Sequence, residues 1–465
     1  MTTALPATTA LPATTALPMP TSPAAVSPDY VPPYQNYVYA YPHKTAYRPL
    51  HPRPALTDLW SGEPQDALSL YLHVPFCEVR CGFCNLFTRV GAPDELTTRY
   101  LDALERQAES VRDALSPSAR FSTAAFGGGT PTYLTARELE RLCDIAESMG
   151  ADLRAVPLSV EASPSTATAD RLAVLAERGA TRLSLGVQSF DDTEARAAVR
   201  PQRRADVEAA LQRVRDAAID VLNIDLIYGI DGQTPESWAA SLDAALAWRP
   251  EELYLYPLYV RPLTGLARRG GGPDPEWDAH RLDLYRRGRD HLLAAGYVQE
   301  SMRMFRRGDA PDLGPNDYAC QTDGMIGLGC GARSYTRSLH YSFDYAVGVN
   351  EVRAIIDDYV AGTVDDFRRA VVGHAMTEDE ARRRHLLQSV LQKSGMPVTD
   401  YRSRFGSDPH EHFGVELRRW SERGWLDSDG DLLRLTKLGM AYSDALGPEL
   451  FSPRVRAAMA EYEGR

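Results

Sequence analysis

The chain has 465 residues, a formal net charge of −12, and an apolar fraction of 44% beside 25% charged residues. These values are those of a globular protein with a sizeable core, and the acidic balance argues against general affinity for nucleic acid or anionic lipid. No apolar run approaches the roughly 18 residues needed to span a bilayer, and six cysteines in so long a chain do not make a disulfide framework, so a reducing, cytoplasmic setting is expected.

Residues 2–18 repeat Thr-Thr-Ala-Leu-Pro-Ala almost three times. Proline recurs too often for a helix and no basic stretch precedes an apolar one, so 1–28 reads as a disordered low-complexity tail and not as a signal peptide. Residues 29–65 follow as an arm, in which Tyr30, Tyr34, Tyr37, Tyr39, Tyr41 and Tyr47 recur with His43, Lys44 and Arg48 at the end. The alternation predicts an extended strap. It either packs by its aromatic faces or covers an active site, the three basic residues meeting substrate carboxylates.

From 66 to about 260 a strand-and-helix rhythm sets in. Strands are predicted at 68–75, 122–127, 157–162, 181–188, 221–228 and 253–260, with helices over Asp94–Leu115, Thr135–Met149, Thr168–Arg178, Arg204–Ala218 and Pro235–Trp248. Six βα units imply an α/β fold, a parallel sheet with helices outside, open or curved as a partial barrel. Functional groups in such folds lie at the carboxyl ends of the strands. The core and its extension, 66–370, include a helix near 275–295 and the glycine-rich stretch Cys320 to Tyr335. In 371–465, helices precede an Asp-Gly turn between apolar runs in Gly424 to Thr436, which predicts a small hairpin and a winged-helix-like α+β module. Its acidic residues oppose DNA binding.

The predicted strand ends carry the polar features. Cys77, Cys81 and Cys84 form a C-x3-C-x2-C triplet directly after the first strand. Structural zinc wants four ligands in paired spacing, and no second pair lies at a suitable distance. Cysteines buried for packing alone are the other bland reading, to which three within eight residues are ill suited; three thiolates on one short loop can hold three corners of an iron–sulfur cube and leave one iron free for a ligand. On the same rim, Gly127 to Gly129 let backbone approach a ligand. Glu161 offers negative charge to an ammonium and Arg200 a fork to a carboxylate, and Gln188 and Asp225 are candidates for ribose hydroxyls. Cys330, in a glycine-lined position, is a candidate hydrogen-atom or thiolate donor.

Together, Tyr71-x-His-x-Pro-Phe-Cys-x3-Cys-x-Phe-Cys84, Gly127-Gly-Gly-Thr-Pro131, Val160-Glu-Ala-Ser-Pro164, Leu185-Gly-Val-Gln-Ser-Phe190 and Asn223-Ile-Asp-Leu-Ile-Tyr-Gly229 resemble the radical S-adenosylmethionine superfamily. More narrowly they resemble the oxygen-independent coproporphyrinogen III oxidase-like family, in particular a bacterial subgroup with the arm and the Cys320-Gln-Thr-Asp-Gly-Met325 segment. The resemblance implies a partial (β/α)6 barrel in which Cys77, Cys81 and Cys84 bind a [4Fe–4S] cluster. Gly128, Gly129, Thr130, Glu161, Gln188, Arg200 and Asp225 would contact S-adenosylmethionine, with Tyr71 and Phe83 beside it. It also implies an electron donor such as flavodoxin or ferredoxin, reductive cleavage to a 5′-deoxyadenosyl radical, and oxidation of a tetrapyrrole or other small molecule. The housekeeping oxidases have a further cysteine where this chain has Leu86, a departure that argues against ordinary coproporphyrinogen decarboxylation. A haem chaperone, or a methyl or methylene transferase using two S-adenosylmethionine molecules, are the alternatives.

Overall fold

The computed structural model describes residues 30–266, 274–311, 320 and 324–462. The expected disorder of 1–28 lies outside the described residues, as does 321–323 of the glycine-rich stretch. Of the first of two units, Met1–Val31, only Tyr30 and Val31 are described; everything below concerns the second.

The short strand β1 (Arg48–Pro49) and helix α1 (Leu56–Trp60) precede the core. Six parallel strands follow: β2 (Leu68–Val74), β5 (Phe121–Gly128), β6 (Leu158–Ala162), β7 (Ala180–Gln188), β8 (Val221–Tyr228) and β9 (Glu252–Pro257), while β3 (Phe76–Cys77) and β4 (Arg89–Val90) pair within the cysteine loop. The crossovers are α2 (Asp94–Ala114), α3 (Ala136–Ser148), α4 (Ala169–Glu177), α5 (Asp192–Ala197), α6 (Arg204–Asp216) and α7 (Pro235–Leu246). Thr135 and Thr234 begin α3 and α7 with capping boxes, satisfying amides the first turn leaves open.

The sheet continues on both sides. Helix α8 (Pro275–Ala294) leads to β10 (Tyr297–Gln299) and β11 (Met304–Arg307), which add antiparallel beside β9. On the other side β12 (Met325–Leu328) pairs parallel with β2, followed outward by β13 (Arg333–Tyr335), β14 (Leu339–Ser342), β15 (Val372–Ala375) and β1. The strand order has two free ends, so the sheet is open. After helices Glu378–Val390, Val398–Phe405 and Pro409–Glu422 comes the expected hairpin, β17 (Leu426–Ser428) and β18 (Leu432–Leu435), joined by β16 (Met396–Pro397) into a three-stranded wing.

Alternation along the strands sorts two environments. Leu68, Leu70, Leu72 and Val74 are buried on the helix side of β2. The other face is polar: Thr123 donates to Ser69 at 3.1 Å, Arg182 to Ser159 at 3.0 Å and to Glu252 at 2.7 Å, and Asn223 to Ser184 at 2.7 Å. Parallel strands buried on both faces are ordinarily apolar throughout, so a polar inner face marks a space kept for a ligand.

The arm crosses this space as an irregular strap. Tyr37 packs on Tyr256 of β9, ring centroids 6.3 Å apart, beneath the Arg303 guanidinium at 3.8 Å. Arg303 and Asp444 form a buried ion pair, Tyr259 donates to the same carboxylate, and the Asp444 carbonyl accepts from the Asn36 amide at 3.1 Å. One aspartate thus ties the C-terminal segment to the sheet and to the arm. Removing one partner of a buried pair leaves the other uncompensated, at a cost of about 3–5 kcal/mol. Asp444→Ala keeps the carbonyl that accepts from Asn36 but leaves Arg303 uncompensated above Tyr37. It is therefore expected to make the chain around Tyr37 sensitive to protease while the 68–257 core stays resistant, read by mass spectrometry of a limited digest.

Candidate active site

The carboxyl ends of β2 and β5 meet at one side chain. His73 is 5% exposed, and its ring fills the space beside two glycines in the left-handed region, Gly128 at φ +117° and Gly331 at φ +99°. A Cβ at either would come within 2.6 Å of the ring. Nε2 lies 3.2 Å from the Phe87 carbonyl and Nδ1 3.2 Å from the Tyr71 hydroxyl. A carbonyl only accepts, so Nε2 carries the proton and Nδ1 accepts from Tyr71. Burial holds the imidazole neutral, its pKa brought down to about 4. The ring joins the cysteine loop to the glycine turn, and sequence reasoning missed it; the signal was its place in Tyr71-x-His73-x-Pro75, two residues from Tyr71 on the same strand face.

The predicted rim residues fall into three groups. Gly128 N–H donates to Glu161 at 3.0 Å, and a Cβ on Gly127 would meet Glu161 and the Tyr71 hydroxyl at 3.0 Å. Glu161 is solvent-accessible although its strand is central, so it opens into the lumen. Desolvation there outweighs the Gly128 hydrogen bond, and with Asp225 nearby the carboxyl pKa rises to about 7. In the second group Arg200 donates to the Gly186 carbonyl, to Gln202 at 2.7 Å and toward the Cys81 sulfur at 3.1 Å. Gln188 stands beside it at φ +71°, at a register shift between β7 and β8; strain of this kind gathers at functional sites. In the third group Asp225 accepts from Asn223 at 2.7 Å and from Ser184 at 3.2 Å.

Thr130 hydroxyl lies 3.4 Å from the Cys77 sulfur, and Phe83 packs on the apolar cluster of Ala198, Ile227, Ile230, Leu258 and Leu266 beneath the loop. The Gly129 and Thr130 amides donate to the Val74 and Phe76 carbonyls, both at 2.8 Å, which fastens the glycine turn to the base of the cysteine loop. Burial pushes the Cys77 thiol up to about 12 and raises Cys84 too. Among the described residues no three His, Cys, Asp or Glu side chains gather around a single-ion site. One zinc needs its ligands at about 2.0–2.3 Å from a common centre, whereas a cube gives each thiolate its own iron. Three partly buried cysteines on one loop, within electrostatic reach of one another, fit the cube.

Comparison with known proteins agrees with this geometry. The Radical SAM superfamily model matches residues 71–245. An oxygen-independent coproporphyrinogen III oxidase of Paracoccus denitrificans is 30% identical over 432 residues, covering 88% of this chain and 91% of that protein. The chain belongs to the oxygen-independent coproporphyrinogen III oxidase-like family of radical SAM proteins. Proteins of this family bind a [4Fe–4S] cluster and S-adenosylmethionine. The heme chaperone HemW of Bacillus subtilis is also similar, 27% identical over 390 residues, with 82% of this chain and 98% of that one covered. In fold, the chain matches the coproporphyrinogen III oxidase HemN of Escherichia coli with a TM-score of 0.71 at 24% identity, covering 85% of this chain and 92% of that one.

Within this radical SAM fold two expectations need correcting. Cys330 is fully buried behind the mouth, its sulfur directed at the Tyr100 hydroxyl of α2 at 4.0 Å, and burial raises its pKa; a thiol on the helix side of the sheet does not reach a ligand in the lumen. Of the three basic arm residues only Lys44 faces the mouth as a cation. His43 is held neutral by burial and by Lys44, Arg333 and Arg261, and Arg48 turns away to the Ala458 carbonyl and Glu461. The structure instead adds Arg333, which donates to the Tyr39 hydroxyl at 3.0 Å.

The His73 wedge makes a prediction. Gly128→Ala sets a Cβ against the ring at a φ that L residues disfavour, costing about 1–3 kcal/mol. A lowered unfolding midpoint is expected, with a larger drop for Gly128→Ala/Gly331→Ala. A Gly150→Ala control, where φ is also positive but nothing lies within 4 Å of the added carbon, should lose less.

Proposed function

We propose that this protein is a cytoplasmic enzyme that uses S-adenosylmethionine at a [4Fe–4S] cluster to oxidise a small carboxylated molecule, a tetrapyrrole or a related metabolite, held beneath the tyrosine arm. Cys77, Cys81 and Cys84 would hold the cluster, which with S-adenosylmethionine supplies, on one-electron reduction, a 5′-deoxyadenosyl radical that takes a hydrogen atom from substrate. Glu161 and the Gly128–Gly129 backbone would hold the amino group of the cofactor, Arg200 its carboxylate, and Gln188 and Asp225 its ribose, with Tyr71, Phe83 and Thr130 flanking it. The arm excludes water, which a radical of that reactivity requires.

One observation carries the substrate class. Lys44 and Arg333 form no ion pair with a carboxylate among the described residues; their partners are the Tyr345 hydroxyl and ring and the Tyr39 hydroxyl. Two half-buried cations at one mouth, with Lys44 brought down to about 8 by burial, suit an anionic ligand. The similarity to HemW over nearly its whole length supports a second reading, a haem carrier.

Anaerobically reconstituted protein is expected to release 5′-deoxyadenosine with dithionite, faster with a carboxylated substrate such as coproporphyrinogen III. Cys81→Ala should abolish release together with the iron charge-transfer absorbance. A Soret band on haem titration without nucleoside release would favour the carrier instead. Glu161 adds a pH signature. Its carboxyl is raised to about 7, so it is protonated below that pH and loses its attraction for an ammonium. S-adenosylmethionine affinity, measured by equilibrium dialysis, should fall by up to about tenfold per pH unit below 7, and Glu161→Gln should flatten that slope.

A further inference from the structure

The strands added beside β2 carry a row of side chains on the lumen face. Ser69 of β2 is opposite Met325, Met325 opposite Tyr335, Tyr335 opposite His340, and His340 opposite His374. Residues directly opposite one another in a sheet share a face, so this row lies on the lumen side with Ser69. Arg333, two residues before Tyr335, lies there too. The arm runs over the row: the Ala46 carbonyl is 3.3 Å from Nδ1 of His374, and the Tyr39 hydroxyl accepts from Arg333.

The helix Glu378–Val390 brings Arg384 against the same row, where its guanidinium donates to Nε2 of His340 at 2.9 Å. Among the described residues three arginines are buried. Two are neutralised at close range, Arg281 by Asp278 and Arg303 by Asp444. Arg384, 7% exposed, meets no carboxylate among the described residues. Glu63 acts on it only through its field and is itself paired with Arg337 at 3.0 Å. Burial and the neighbouring Arg404 bring the Arg384 pKa down to about 10, which still leaves the group charged at neutral pH. A buried cation whose one acceptor is a neutral imidazole is a poor structural device, because nothing offsets the desolvation of its charge.

The groups around it are short of acceptors as well. A ring nitrogen that accepts from arginine carries no proton, so in neutral His340 the proton sits on Nδ1, and that buried atom has no partner. Burial keeps the ring neutral, with Arg384, His374 and Arg333 acting in the same direction. The Tyr47 hydroxyl of the arm, in electrostatic reach of both Arg333 and Arg384, is also buried without a partner. A bound anion would complete such a set of donors.

We infer that Arg384, with His340 and Tyr47, is a second anion seat of the chamber, separate from that of Lys44 and Arg333, and that it selects substrates presenting two carboxylates at once. The inference deepens the substrate reading given above and rests on it. Arg333 and His340 stand one strand and two residues apart, about 8 Å between their backbones, a spacing that suits two acidic groups on one molecule.

The test uses full-length reconstituted protein with S-adenosylmethionine and, as probes, coproporphyrin III, a rigid tetracarboxylate, and its tetramethyl ester. Binding is followed by porphyrin fluorescence. The parent should bind the acid and not the ester. Arg384→Met should weaken binding of the acid by about tenfold or more, with Arg384→Lys intermediate and S-adenosylmethionine affinity, read by equilibrium dialysis, as in the parent. Removing an uncompensated cation should leave the unfolding midpoint level or higher. In Arg333→Met/Arg384→Met the two losses should multiply, as they do for independent contacts. Equal binding of the acid by parent and Arg384→Met, or no binding by the parent, would overturn the inference. So would a double variant no weaker than either single one, which would mean one carboxylate shared by both arginines. A lowered midpoint with weaker S-adenosylmethionine binding would count against it equally, since Arg384 would then be structural. If the parent releases no 5′-deoxyadenosine with dithionite, the enzyme reading fails instead, and the porphyrin titration, which needs no cluster chemistry, still reports on Arg384.

Discussion

One imidazole ring sets the spacing of everything at the mouth. His73 can occupy its place only because Gly128 and Gly331 lack side chains there, and once in place it bonds the Phe87 carbonyl at one nitrogen and Tyr71 at the other. The loop bearing three cysteines, the glycine turn bearing two donor amides and the β12 edge are thereby held at fixed separation. The neutral ring sets the direction of the Tyr71 bond, since a second ring proton at Nδ1 would make Tyr71 the acceptor. Burial secures it, with Arg333 and Lys44 pushing in the same direction.

The mouth is electrostatically divided. Glu161 and Asp225 lie on the central strands, and Lys44 and Arg333 lie where the arm and β13 close over them, with Tyr71 in electrostatic reach of both Glu161 and Arg333. Unlike charges a short distance apart would normally pair and fill the space between them. Here each side is satisfied separately, by backbone, amide and hydroxyl groups, so the gap between them stays open to a ligand that carries charges of both signs. Neutral hydroxyls and ring faces make this stable: Tyr39 of the strap supplies them to Arg333, and Tyr345 supplies them to Lys44, cations that would otherwise be buried alone.

Much of the fold was legible because βα units write themselves locally. Apolar runs ended by turn residues located all six core strands within a few residues, and the helices predicted from Thr135 and Pro235 begin beside the threonine caps that the structure shows. The strands β12 to β15 were missed because each is three or four residues long and draws its stability from neighbours already in the sheet. At the site, groups at strand ends were readable, since period-two alternation tells which side chains share a face. Arg333 and the fate of Arg48 were not, because they depend on where a non-repetitive strap lies. Cys330 misled for a related reason: glycines around a cysteine suggested ligand access, whereas Gly329 and Gly331 make room for the Tyr100 hydroxyl and for His73.

The two sides of the cysteine loop differ in character. Toward the lumen the walls are polar and satisfied by hydrogen bonds; toward solvent the loop is bordered by the segments that carry Val199 and Leu263. Gly82 serves both. A Cβ there would strike Val199 at 2.8 Å, and Gly265 would meet its backbone almost as closely. The segments carrying Val199 and Leu263 therefore press directly on the loop, the Val199 side chain lying against Gly82 itself, and Arg200, the residue after Val199, reaches from the same segment to the Cys81 sulfur. A single short segment thus touches the candidate cofactor site with one residue and the outer surface with its neighbour.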